Sequence, residues 1–173
     1  MNTTQAIDQF ISSFSRPAPR LFFGLLKPFL TRTTQQTGNL IPSLEDLAQL
    51  PHETLGYTFT RFLEAHHLQP IRFGPRRAQV HDVVHLLTGY GTDPMGELEV
   101  QAFLVGSSFQ PFNLLLSIPL VLRLSAWTHA WMAFERGRKS HFDPDTFPVE
   151  ALWTVPLTQV RQRYGISKPV YSP

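Results

Sequence analysis

Gly74-Pro75-Arg76-Arg77-Ala78-Gln79-Val80-His81-Asp82-Val83-Val84-His85-Leu86-Leu87-Thr88-Gly89 is the stretch on which the fold turns. Val80, Val83, Val84 and Leu87 recur at spacings of three and four, the period of one helix face. Proline stands in the first turn and glycine just past the end, the ordinary asymmetry of a helix. The segment therefore predicts one helix from Pro75 to Gly89. Gly89, Gly91, Pro94 and Gly96 follow within a few residues and predict a tight reversal into a second helix over Glu97–Phe109.

The same helical spacing extends in both directions. Upstream, Ile7, Phe10, Ile11 and Phe14 share one face, and Arg20–Leu30 is apolar on nearly all sides, as in a core helix or one lying at a bilayer interface. Ser43 is the expected N-cap of a short helix ended by Leu50-Pro51. Leu55, Phe59, Phe62 and Leu63 predict a helix within Glu53–His66. Downstream, an apolar helix is expected from Pro111 to about Arg136, bent at Pro119. A loop over Gly137–Pro148 and a last helix over Pro156–Tyr164, stopped by Gly165, complete the reading. Helical signals dominate throughout, no repeat is present, and composition does not change along the chain. One all-α domain over residues 1–173 is expected.

Composition narrows the function. The 173 residues carry 15 Lys+Arg against 13 Asp+Glu, so an excess of two positive charges gives no nucleic-acid footprint. Charged residues make up only 16%, too few for a long coiled coil or a disordered chain, while 14 Phe and 15 Pro point to an apolar interior built from short helices. With no cysteine, disulfides, thiolate nucleophiles and Cys-ligated metals are excluded. Met1–Gln5 lacks the start of a signal peptide, and Asp8 argues against a transit peptide. Leu114–Leu122, interrupted by Ser117 and Pro119, falls short of the roughly 20 apolar residues of a membrane span. A soluble or peripheral protein is expected.

Chemistry concentrates at His81 and His85. Four residues apart on one helix, they stand about 5–6 Å apart at Cβ, with Asp82 beside the same face. Glu97, twelve residues after His85, can be folded back onto this patch by the glycine-rich reversal, with Glu99 as a spare carboxylate. Two imidazoles and carboxylates suit a divalent metal, although a His-x-x-x-His pair also occurs on helices that bind nothing. The pattern is not the His-Glu-x-x-His of zinc proteases, because Asp82 stands at the Glu position. Arg76 and Arg77 are either anchors for an acidic head group or solvated charges. Arg136, Arg138 and Lys139 are either an anionic-lipid patch or an ordinary loop cluster.

His81-Asp82-x-x-His85, then eleven residues and Glu97, resembles the signature of the coenzyme Q (ubiquinone) biosynthesis protein four family. Leu50-Pro51-His52-Glu53-Thr54-Leu55-Gly56, followed by Phe59 and Arg61-Phe62-Leu63, resembles its Leu-Pro-x-x-Thr-Leu-Gly segment. Pro156-Leu157, Val160-Arg161 and Tyr164-Gly165-Ile166 resemble its closing Pro-Leu-x-x-x-Arg helix. The three matches stand in the family's order across residues 40–166.

The resemblance implies that His81, Asp82, His85 and Glu97 are metal ligands, with zinc foremost and iron or manganese also suited. Asp82 and Glu97 would also be catalytic, moving a proton. It further implies an all-α fold with an apolar pocket for a polyprenyl chain, lined by residues such as Phe103, Phe109, Phe112, Leu115, Leu116 and Leu122, which from the sequence alone read as core. The implied role is in quinone biosynthesis on a polyprenylated aromatic acid, as a metal-dependent enzyme removing the ring carboxyl by oxidative decarboxylation or as a lipid-binding scaffold. Implied partners are that precursor, the membrane surface, other quinone-biosynthesis enzymes and a second copy in a homodimer. A bacterial homologue is expected, cytoplasmic and peripheral on the inner face of the membrane, with Arg20–Leu30 as its lipid contact through Phe22, Phe23, Leu26 and Phe29.

Overall fold

The computed structural model describes residues 38–72, 74–109 and 111–167; the side chains at 111, 112, 114–116 and 119 are not among those described. The helices expected over Ile7–Phe14 and Arg20–Leu30 lie outside this range.

Eight α-helices and one 3₁₀ turn make up the described fold. Helix α1 (Leu44–Ala48) starts where Ser43 Oγ accepts the Asp46 N–H at 3.0 Å, as expected of an N-cap. Helix α2 (Leu55–Ala65) is capped in the same way by Thr54, which accepts from Tyr57 N. Its next two free N–H groups have distant partners. Leu55 N donates to Val155 O at 2.8 Å, and Gly56 N donates to Trp153 O at 2.9 Å. A Cβ on Gly56 would stand 3.0 Å from that same Trp153 oxygen and closer still to Leu47 and Leu50, so glycine admits the crossing. A short antiparallel bridge between Thr54 and Pro156 completes the join. Two motifs a hundred residues apart in sequence are thus one structural unit.

The expected helix over Pro75–Gly89 is two helices. Val80 leaves helical geometry (φ −91°, ψ 1°), separating α3 (Arg76–Gln79) from α4 (His81–Thr88). Helix α4 is central: Val83, Val84, Leu86 and Leu87 are buried, and it packs against α2, α3, α5 and α8. Gly89 ends it in the left-handed conformation (φ 76°), as the sequence predicts. Helix α5 (Pro94–Ser107) then begins three residues earlier than expected, at Asp93 as N-cap.

The long apolar helix also divides. Helix α6 (Pro111–Leu124) runs through Pro119, and the chain turns instead at Ser125, whose φ is +50°. Helix α7 (Trp127–Lys139) takes in residues expected as loop. It lies alongside α5 in the same direction, so close that a Cβ on Gly106 would stand 2.1 Å from Phe134 O and one on Gly137 would stand 2.0 Å from Phe103 O. After the 3₁₀ turn Val149–Ala151, α8 (Leu157–Arg163) closes the described chain. Part of the phenylalanine content builds an aromatic cluster in the described core, in which Phe142, Phe147 and Tyr164 pack with centroids 5.0–6.1 Å apart.

Candidate metal centre

Helix α4 presents His81 and His85 one turn apart, their ring centroids 4.8 Å apart and nearly perpendicular. Helix α5 brings Glu97 from its first turn against both. Glu97 Oε1 lies 3.2 Å from His85 Nε2, Oε2 lies 3.4 Å from His81 Nε2, and the two Nε2 atoms are 3.2 Å apart. One ligand atom from each residue falls within 4.8 Å of the others, a spacing that can hold a single ion. The centre is secluded: the side chains of His81, His85 and Glu97 are 11%, 1% and 14% exposed.

The turn between the helices orients one ligand. His85 Nδ1 lies 2.9 Å from Gly91 O and 3.4 Å from Tyr90 O. A carbonyl only accepts, so Nδ1 carries a proton and donates it there, leaving Nε2 as the nitrogen that faces the centre. Gly96 makes this possible: a Cβ there would fall 1.9 Å from Gly91 O. Asp93 Oδ1 fixes the same turn by accepting the Gly96 N–H at 2.7 Å.

Charge is balanced within the cluster. Burial pushes the Glu97 carboxyl up, but His81 and His85 outweigh it and hold the group well below the usual carboxylate range. Burial pushes His81 down, and the Glu97 carboxylate reverses this, leaving its pKa raised. The carboxyl of Asp82 is raised, chiefly by burial, with the two histidines offsetting only part of it. Glu97 Oε2 is buried without a hydrogen-bond partner. Two imidazole nitrogens and a carboxylate gathered this closely, with Glu97 Oε2 lacking a hydrogen bond, fit a divalent cation; the N,N,O donor set leaves positions open and suits zinc, iron or manganese. Asp82 is not one of the three gathered groups.

The other expected residues are dispersed. Glu99 is buried on another face of α5, its Oε1 2.9 Å from His129 Nδ1. Phe103 is fully buried beside Phe142, whereas Phe109 and Leu122 are 67% and 62% exposed; Phe112, Leu115 and Leu116 lie among the side chains not described. Arg76 and Arg77 are not solvated charges. Arg76 binds Glu150 and Phe147 O, and Arg77 binds Asp145. Nor is Arg136 part of a solvated loop: it donates to Thr88 O at 3.0 Å and to Ser167 O, and it stacks 4.6 Å over the Tyr90 ring. Arg161, in the last motif, donates to Leu86 O and Leu87 O at 2.9 Å. Two arginines thus satisfy the final carbonyls of the helix that carries the histidines, at the end where its dipole favours cations. The motif flagged Arg161, but only the structure gives it a task.

These features define a class: an all-α protein whose central helix and glycine-bound neighbour build a two-histidine, one-carboxylate candidate metal centre. No family model matches the chain. Its sequence is 30% identical to the mitochondrial ubiquinone biosynthesis protein COQ4 homolog of Rattus norvegicus and 29% identical to that of Mus musculus, each match covering 73% of this chain and 55% of the relative. The Homo sapiens homolog is 28% identical, with the same coverage. The chain therefore spans about half the length of the relatives it matches. A "Putative ubiquinone biosynthesis protein" from Nostoc punctiforme has the same fold, with a TM-score of 0.64 at 20% identity over 95% of this chain and 81% of that one. The resemblance carried by the three motifs holds, and the chain is a homologue of the COQ4 proteins.

Proposed function

We propose that this chain serves ubiquinone biosynthesis by holding a divalent metal between His81, His85 and Glu97 and acting there on the ring carboxyl of a polyprenylated aromatic acid. The observation that carries the reading is the convergence of Glu97 on both imidazoles, with the far nitrogen of His85 already committed to Gly91 O. Such a metal supplies Lewis acidity toward a carboxylate or phenolate. In that reaction the carbon–carboxyl bond would break and carbon dioxide leave; one oxygen atom of dioxygen would become the ring hydroxyl and the other would leave as water, with two electrons and two protons from an external two-electron reductant. Asp82, its carboxyl raised by burial, is suited to hold and pass a proton beside the centre. Zinc is the first expectation for the ion, followed by iron and manganese.

The second reading is a non-catalytic lipid-binding organiser that presents prenylated intermediates to other quinone-biosynthesis enzymes. The large apolar side chains left exposed on α6 and α7 favour it. Under both readings the protein works at the membrane surface, on the cytoplasmic face of a bacterial membrane, alone or as a homodimer. No helix among the described residues is long and apolar enough to cross one.

Native mass spectrometry of the purified protein reads metal and copurified lipid together. One ion per chain is expected, falling far below that in His81→Ala/His85→Ala. Stoichiometric metal in the double variant overturns the centre. Carbon dioxide release from a prenylated hydroxybenzoate supports the enzyme; lipid binding without release under zinc, iron or manganese supports the organiser.

A further inference from the structure

Among the described residues, six large apolar side chains are exposed: Phe109, Ile118, Leu122, Trp127, Trp131 and Met132. All six fall within one stretch, the turn into α6, α6 itself and α7. Ile118 and Leu122 stand four apart on α6, as do Trp127 and Trp131 on α7, so each helix turns an apolar ridge outward. Trp127 and Trp131 are 64% and 62% exposed, an arrangement water does not favour for two indoles.

Helices α6 and α7 carry four basic side chains against one carboxylate. From Val100 to Phe134 there is no Asp or Glu, while Arg123, Arg138 and Lys139 are exposed on the same two helices. Glu135, the first carboxylate beyond, is 3.2 Å from Arg138. A second copy docking through the same surface would bring two basic rims together with no free carboxylate to pair them. Anionic lipid head groups answer both halves of the pattern, because indoles settle at the head-group level and arginine and lysine reach the phosphates.

The position also fits. Val121 and Ala126 are buried against Leu98, the residue after Glu97, and Leu122 and Trp127 are their outward-facing neighbours. The exposed ridges therefore begin beside the helix turn that holds the metal-centre carboxylate.

We infer that α6 and α7 form the membrane-docking face of this protein, with Ile118, Leu122, Trp127 and Trp131 entering an anionic bilayer and Arg123, Arg138 and Lys139 on its head groups. This deepens the reading above, since a polyprenylated substrate resides in the bilayer and the face opens next to the centre.

The test uses the full chain and vesicles of phosphatidylcholine with or without phosphatidylglycerol. The chain has three tryptophans, and Trp153 is buried, so a fluorescence shift on binding reports Trp127 and Trp131. Co-flotation with phosphatidylglycerol vesicles and a blue shift are expected. Ile118→Ser/Trp127→Ser/Trp131→Ser is expected to weaken flotation at least tenfold while keeping helicity and bound metal, because all three side chains are exposed. His81→Ala/His85→Ala is expected to lose metal yet float as before, so the docking face and the metal centre fail separately. The proposal is overturned if the triple variant floats like the parent, if the parent does not bind these vesicles, or if the parent is a dimer in solution that the triple variant dissociates.

Discussion

Gly96→Ala separates what helix propensity alone would do from what the metal centre requires. Gly96 lies in the first turn of α5, where replacing glycine with alanine ordinarily stabilises a helix by up to about 1 kcal/mol. Here the new methyl would start 1.9 Å from Gly91 O, 2.4 Å from its carbonyl carbon and 2.7 Å from its Cα. All three contacts are backbone, so no side chain can swing aside; the Gly91 peptide or the start of α5 has to move by at least about 1 Å. Forced repacking of this kind costs about 1–3 kcal/mol, which outweighs the propensity gain. The same displacement pulls Gly91 O from His85 Nδ1, and loss of such a support typically weakens metal binding by about 10–100-fold. Urea denaturation of the metal-free protein and calorimetric titration with zinc measure the two effects. Gly38→Ala, where a Cβ meets nothing within 4 Å, is the control and should change neither. A Gly96→Ala protein as stable as the parent and binding zinc with the parent's affinity would refute the reasoning.

Three further outcomes are expected. Arg161→Met keeps the aliphatic stem but removes both donors from Leu86 O and Leu87 O, so urea denaturation should show a loss of about 2 kcal/mol. Gly137→Ala drives a methyl to 2.0 Å from Phe103 O, and thermal unfolding should show destabilisation of about 1–3 kcal/mol where propensity predicts a gain. In pH-dependent titrations, metal affinity should already be falling as pH drops toward 6.5. The His81 pKa is raised above that value, and only the neutral ring ligates, so protons compete from a higher pH than for an unperturbed imidazole.

What could be read in advance follows the range of the interaction. Local chemistry was legible: the Ser43 and Gly89 caps, the apolar spacing of α2 and α4, and the pairing of His81 with His85 all depend on residues within a turn or two. Glu97 was legible because the reversal that returns it is short and rich in glycine. The errors involve distant partners. Arg76 and Arg77 read as head-group anchors or solvated charges because Glu150 and Asp145, their partners, lie about seventy residues away. Arg136 read as part of a lipid patch or loop cluster because Thr88 O, which it satisfies, lies 48 residues away at the end of another helix. The bend expected at Pro119 appears at Ser125, a position no sequence signal marked. A helix can extend through a proline when packing supports it, whereas the turn into α7 is set by the fit of Ala126 and Val121 on Leu98.

The arginine that finishes the histidine helix has a consequence for the order in which the protein is made. Arg161 stands 74 residues beyond Leu87 O, and the carbonyls that receive the first turn of α2 belong to residues 153–155. A ribosome adding about 5–20 residues per second releases His81, His85 and Glu97 several seconds before these partners emerge. During that interval α4 has open carbonyls at its end and α2 has free amides at its start. The nascent chain thus holds His81, His85 and Glu97 on an unfinished scaffold until the closing helix docks. Late closure therefore makes the last segment synthesised among the described residues the one that completes the scaffold of the candidate centre.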